Sequence, residues 1–289
     1  VAITSELVRS VSAKLYEDSL KRIPQDTKAA LRRAAEAETA ELGRKFLAIM
    51  LKGADAAEDG GQLVCSDVGV PVYLVRIGTR VSFEGRIRQA ITDGFADLVD
   101  KIQPPILKMV TDPLTLRRSY KGKGMPIVTW ELIDDADYVE IICSPKALGT
   151  GRWEAVETFV SPSLETIEKY VLDMVIRAGS QPCLPMVIGV GIGGTLDYAA
   201  KMAKEALLRP LGQTNPEPVL ADMETRLLAA VNATGFGPMG TGGDSTAMAV
   251  HVDYCAGHGY TPVAVCINCW INRRTRARIY DSGAVQWGE

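Results

Sequence analysis

Apolar positions in the first hundred residues recur at helical spacing. Leu7, Val8, Val11 and Leu15 share one helical face. Pro24 interrupts the pattern, and Asp26 is placed to cap the next helix. Leu31, Ala35, Thr39, Leu42, Phe46 and Ile49 then form a stripe with gaps of three and four, weakest at its polar member Thr39. A glycine-bearing turn is expected over 53–62, a strand over Pro71–Ile77, and another helix carrying Ile87, Ile91, Phe95 and Leu98.

Beyond Gly122 the pattern changes to short apolar runs alternating with helical stretches. Val139–Cys143 and Met186–Ile188 read as strands, the second fully buried. Ser163 caps a helix running to about 178. A glycine turn is expected at 189–194, then helices over 195–209 and 220–231. Strands follow over 246–254, 261–268 and 274–280. The fold class expected is α+β: a helical N-terminal part packed on a mixed-sheet part with Gly-rich site loops. We read residues 1–289 as a single domain with a mainly helical sub-part over 1–120 and an α+β sub-part over 121–289.

Charge removes some functional classes. Lys and Arg number 32 against 35 Asp and Glu, with no basic block, so no nucleic-acid partner is expected. The densest basic run, Asn272–Arg278, reads as a solvated strand face, with attraction of a small anion as the other reading. No apolar run is long enough to span a membrane, and the start lacks the features of a secretory leader. A cytoplasmic location is therefore expected, where the six cysteines stay thiols unless they bind metal. With only two histidines, metal binding would lean on sulfur.

Several constellations compete for chemistry. Cys255-Ala-Gly-His258 with Cys266-Ile-Asn-Cys269 has zinc-like spacing, but the strand between the pairs would separate them. Cys65, Cys183 and Cys269 each lie where an apolar run meets polar or glycine-rich chain, which suits the rim of a site; buried thiols with no metal role are the other reading. Gly189-Val-Gly-Ile-Gly-Gly194 is not the G-x-G-x-x-G dinucleotide fingerprint, and close backbone packing competes with an anion site there. The five glycines of 235–243 imply either a backbone wrapped around a ligand or a loose surface loop. Asp67 is a candidate general base or a turn residue, and His258 a carboxylate donor or a structural histidine.

Taken together, Cys65-Ser-Asp-Val-Gly69, Ser144-Pro-Lys146, Pro185–Thr195, Ala203–Arg209, the glycine loop 235–243, and Asn268-Cys269 with Arg273 resemble the alpha subunit, or amino-terminal domain, of class I iron–sulfur fumarate hydratases and L-tartrate dehydratases. The resemblance covers most of the chain from about 60 to 283. It implies that Cys65, Cys183 and Cys269 hold a [4Fe-4S] cluster with one open iron, and that Asp67 and His258 lie at the substrate. It also implies a separate small beta subunit that completes the active site, in an alpha2beta2 heterotetramer, and a small dicarboxylate substrate. Ser66 and Val68 replace the family's usual glutamine and threonine, and Ala147–Glu154 departs from the usual glycine-serine-asparagine version. These changes point to a tartrate-like or methyl-substituted C4 diacid as well as malate and fumarate. Cys143, Cys255 and Cys266 are then structural thiols. A non-catalytic iron–sulfur scaffold and a nucleotide-dependent oxidoreductase are the alternatives from other classes.

Overall fold

The computed structural model describes residues 2–288. Its principal helices are α1 (Ser5–Lys21), α2 (Gln25–Ala37), α3 (Glu41–Asp59), α4 (Ile87–Lys101), α5 (Leu164–Ala178), α6 (Leu196–Ala206) and α7 (Pro218–Asn232). The main strands are β1 (Val72–Gly78), β2 (Ile127–Ile133), β3 (Tyr138–Cys143), β4 (Ala155–Val160), β5 (Met186–Gly193), β6 (Ala247–Cys255), β7 (Tyr260–Asn268), β8 (Thr275–Tyr280) and β9 (Val285–Gly288). Helices and mixed sheets in these proportions make an α+β fold. Two compact units interleave along the chain: 1–24, 54–147 and 273–289 form one, and 25–53 and 148–272 the other.

The first unit is built on a five-stranded sheet in the order β9-β8-β3-β1-β2, antiparallel except for the β1–β2 pair. Strand alternation sends Tyr73 and Val75, Val139 and Ile141, and Ala277 and Ile279 to one face. There they meet Val8, Val11 and Leu15 of α1 and Ile91 and Phe95 of α4, all buried. The opposite face carries Arg76, Glu140, Arg276 and Arg278. Glu140 accepts from Arg76 at 3.2 Å and from Arg278 at 3.0 Å. Within the basic run, Arg276 and Arg278 thus lie against Glu140 across the strands, whereas Arg273 and Arg274 are buried rather than part of a solvated face.

The second unit is a four-stranded mixed sheet, β6-β5-β7-β4, with helices on both faces. Helices α5 and α7 cover Met186, Ile188 and Val190 of β5, while α6 covers Val187 and Ala264. A strand covered on both sides has no reason to alternate, which is why β5 reads as a continuous apolar run. The expected turn at 189–194 is instead mostly strand. Gly189 and Gly191 lie within β5, where an added Cβ would strike the carbonyl oxygens of Ala203 and Ala199 on α6. These glycines let a helix lie directly against a strand.

Two other expectations shift in register. The apolar stripe over 31–49 breaks at Glu38–Ala40, between α2 and α3. Beyond the break Leu47 and Met50 are buried, while Leu42 and Ile49 face solvent. The turn expected from Gly53 starts only at Gly60, because α3 continues to Asp59. Asp26 lies inside the first turn of α2, and its carboxylate accepts from the Leu211 N–H at 2.6 Å.

Candidate functional site

In the first unit, three segments that are remote in sequence meet around Asp67. Val70 and Lys146 form a β-bridge, with N–H···O distances of 2.8 and 2.9 Å. Gly69 (φ +71°) passes so close to the Lys146 carbonyl that a side chain there would collide with it. Asp67 Oδ1 accepts the Gly69 N–H at 2.9 Å, closing the turn, so its turn role is present. From the far side the Arg273 guanidinium, 4% exposed, donates Nη2 to the Asp67 main-chain oxygen at 2.6 Å. The Arg273 carbonyl in turn accepts from the Ser144 hydroxyl at 2.8 Å. Cys65 stands at the head of this loop, half-buried.

Behind it lies a buried sulfur of a different kind. Cys143 is fully buried, and burial pushes its thiol up to about 12 despite hydrogen bonding to Ser19 and Tyr73. It is a core thiol in its neutral form. Cys266, 4% exposed on β7, is also core.

In the second unit, Cys183 and Cys269 come from separate segments joined by a hydrogen bond. The Trp270 N–H donates to the Cys183 carbonyl at 3.2 Å. Cys183 is exposed and holds φ +57°, a conformation non-glycine residues rarely adopt and which clusters at functional sites. Cys269 is half-buried, and its carbonyl accepts the Asn272 N–H at 3.0 Å. The glycine loop packs onto the Cys183 turn: the Met239 N–H donates to the Leu184 carbonyl at 3.1 Å, and Gly240 (φ +74°) lies against Ser180 with no space for a Cβ. The loop is hydrogen-bonded along its length, including Gly242 N–H to Phe236 O at 2.9 Å and Gly237 N–H to Thr246 Oγ1 at 3.2 Å.

The two histidines divide their tasks. His251 is buried, with Nδ1 2.9 Å from the Ala206 carbonyl. His258 is exposed between β6 and β7 and stacks on Tyr260 at 5.3 Å. Its Nδ1 accepts the Tyr260 N–H at 3.2 Å, which in the neutral ring leaves Nε2 as the N–H donor.

Cys65 and Asp67 thus belong to the first unit, and Cys183, Cys269 and His258 to the second. Within either unit, no three His, Cys, Asp or Glu side chains among the described residues gather to hold a single metal ion. The zinc-like spacing of Cys255, His258, Cys266 and Cys269 therefore builds no such centre. No disulfide forms among the described residues. Exposed and half-buried thiols on turn backbone are a donor set that suits an iron–sulfur group, whose irons each take a separate thiolate. Sequence reasoning gave no role to Glu38 or Asp244, and read Arg273 only as a member of the basic run and of the family's motifs. The signal for Glu38 was the polar gap that interrupts the apolar stripe at Thr39.

A fumarate hydratase family profile matches residues 9–278. The chain belongs to the fumarate hydratase family. It is accordingly a hydro-lyase of the alpha-subunit type. A Methanocaldococcus jannaschii protein provisionally named L(+)-tartrate dehydratase subunit alpha is 34% identical over 280 residues, covering 94% of this chain and 97% of that protein. The L(+)-tartrate dehydratase subunit alpha of Escherichia coli K12 is 30% identical over 259 residues, covering 88% of this chain and 84% of its own length. The family match runs through both units, so the Asp67 loop and the Cys183–Cys269 pair fall inside it.

Proposed function

We propose that this chain is the cluster-bearing alpha subunit of an enzyme that reversibly hydrates a small C4 dicarboxylate: malate and fumarate, tartrate, or a methyl-substituted analogue. The observation that carries this reading is the Cys183–Cys269 arrangement, two accessible thiols on backbone segments tied together, in a chain whose Cys143 and Cys266 are sealed in core. Cys65, Cys183 and Cys269 would hold a [4Fe-4S] cluster. When bound, such a cluster supplies a Lewis-acidic iron that polarises a substrate hydroxyl.

This chain would supply further groups of its own. Asp67, held by the Gly69 N–H on its side chain and by Arg273 on its carbonyl, would take or orient a proton at the carbon next to the hydroxyl. His258, with its Nδ1 occupied by the backbone, presents Nε2–H to a carboxylate. Ser66, exposed beside Asp67, leaves more space than a longer amide would, which favours a substituted or doubly hydroxylated diacid. The subunit-alpha names of the relatives support a separate beta subunit that completes the site, in an alpha2beta2 assembly.

The test is turnover of the anaerobically co-expressed complex on malate, fumarate, both tartrates and methyl-substituted diacids. One of these should be processed well above the others. Asp67→Asn should keep its iron yet lose about a hundredfold or more in turnover. Undiminished turnover in that variant removes the proton-transfer role, and an iron-loaded complex inert to every diacid favours a scaffold.

A further inference from the structure

The break between α2 and α3 is occupied by a buried carboxylate. Glu38, 1% exposed, takes three backbone N–H groups: Ala40 at 3.1 Å, Asp244 at 2.9 and 3.0 Å, and Ser245 at 3.0 Å. Asp244 answers in the opposite direction. Its Oδ2 accepts from the Thr39 N–H at 2.8 Å and from the Thr39 hydroxyl at 2.6 Å. Two carboxylates thus lock two segments reciprocally, 205 residues apart in sequence for the Thr39–Asp244 bonds. Glycines make room for them: a Cβ on Gly43 or Gly243 would meet the Glu38 side chain.

The clamp closes the downstream end of the glycine loop, and the loop in turn seats the Cys183 turn. Met239 donates to Leu184, Gly240 lies against Ser180, and Trp270, next to Cys269, donates to Cys183 itself. We propose that Glu38 and Asp244 are positioning residues that hold the Cys183 turn through the glycine loop and so set that thiol's approach to iron. The link to iron rests on the cluster reading of Cys183. A carboxylate suits the task because each oxygen accepts more than one N–H, and an unmet buried N–H opposes any loosened state.

Hydrogen exchange of the full chain, purified without iron, tests the mechanical part. The Trp270 amide is diagnostic, because it lies outside the glycine loop and donates to Cys183. Glu38→Ala should accelerate exchange about tenfold or more at Met239 and at Trp270, while the α5 core keeps its protection. Glu38→Gln, which keeps an oxygen acceptor, should give a smaller change at the same two amides. If Glu38→Ala fails to fold, Asp244→Asn and Thr39→Val carry the same readout. Acceleration confined to the glycine loop, with Trp270 at the wild-type rate, overturns the proposal.

Anaerobic reconstitution with ferrous iron and sulfide supplies the second arm. Release of iron to a chelator should be about tenfold or more faster in Glu38→Ala, in which three backbone N–H groups lose the Glu38 carboxylate as acceptor. Equal release rates overturn the link to iron. A wild-type chain that takes up no iron while Trp270 still responds brings down the cluster reading and leaves the clamp standing.

Discussion

At the scale of single residues, burial separates sulfurs that look equivalent in the sequence. Cys143 is held neutral by burial, whereas Cys183 is exposed at a left-handed backbone position. Folded protein purified without iron and treated with an alkylating reagent at mildly alkaline pH should label Cys183 and spare Cys143, as read by peptide mass. The sign of the pH effect on stability follows. A thiol whose folded value is raised stabilises the fold fully below its ordinary value of 9.0, and that contribution is lost as pH climbs toward about 12. The melting temperature should therefore fall across that window, and Cys143→Ala should make the fall shallower. Burial also raises Tyr16 and Tyr73, so a residual slope is expected. Arg273 is the other residue with a sharp expectation. Replacing it with Met leaves the Asp67 carbonyl without its donor and should cost about 1–3 kcal/mol in denaturant unfolding.

At the scale of elements, most helices and strands were legible because their periodicity and caps agree with their packing. Ser163 caps α5 as its position suggests, its side chain accepting the Thr166 N–H at 3.1 Å. The pattern misled where a residue type has two uses. Glycines 189–193 read as a turn, yet they belong to a strand pressed against α6. Gly53 also read as a turn, yet it lies inside α3 with open space around it. The two sites give opposite expectations for the same change. Gly191→Ala should destabilise by about 1–3 kcal/mol through overpacking. Gly53→Ala should stabilise by about 0.5–1 kcal/mol through helix propensity. Equal effects in thermal unfolding would contradict this account of β5. Thr39 marks the third case: its polarity weakened the stripe because the helix ends there and its hydroxyl binds Asp244.

At the scale of the molecule, the α+β class and the family were legible, the family through ordered motifs rather than composition. The interleaving was not. The division into 1–120 and 121–289 follows helix content, whereas compactness depends on long-range pairings such as β8 with β3, which no local window contains. The candidate cysteines were found by where they sit between apolar and polar chain. The residues that hold those loops, Glu38, Asp244 and Arg273, gave little signal because buried charges in one sequence look like surface ones until their partners are known.

The most direct test is the iron and sulfide content of the anaerobically prepared protein and its serine variants. About four irons per chain are expected in the wild type, and also in Cys143→Ser and Cys266→Ser. Cys65→Ser, Cys183→Ser and Cys269→Ser should each lose the cluster. Full iron in those three variants, or equal loss in all five, would contradict the assignment.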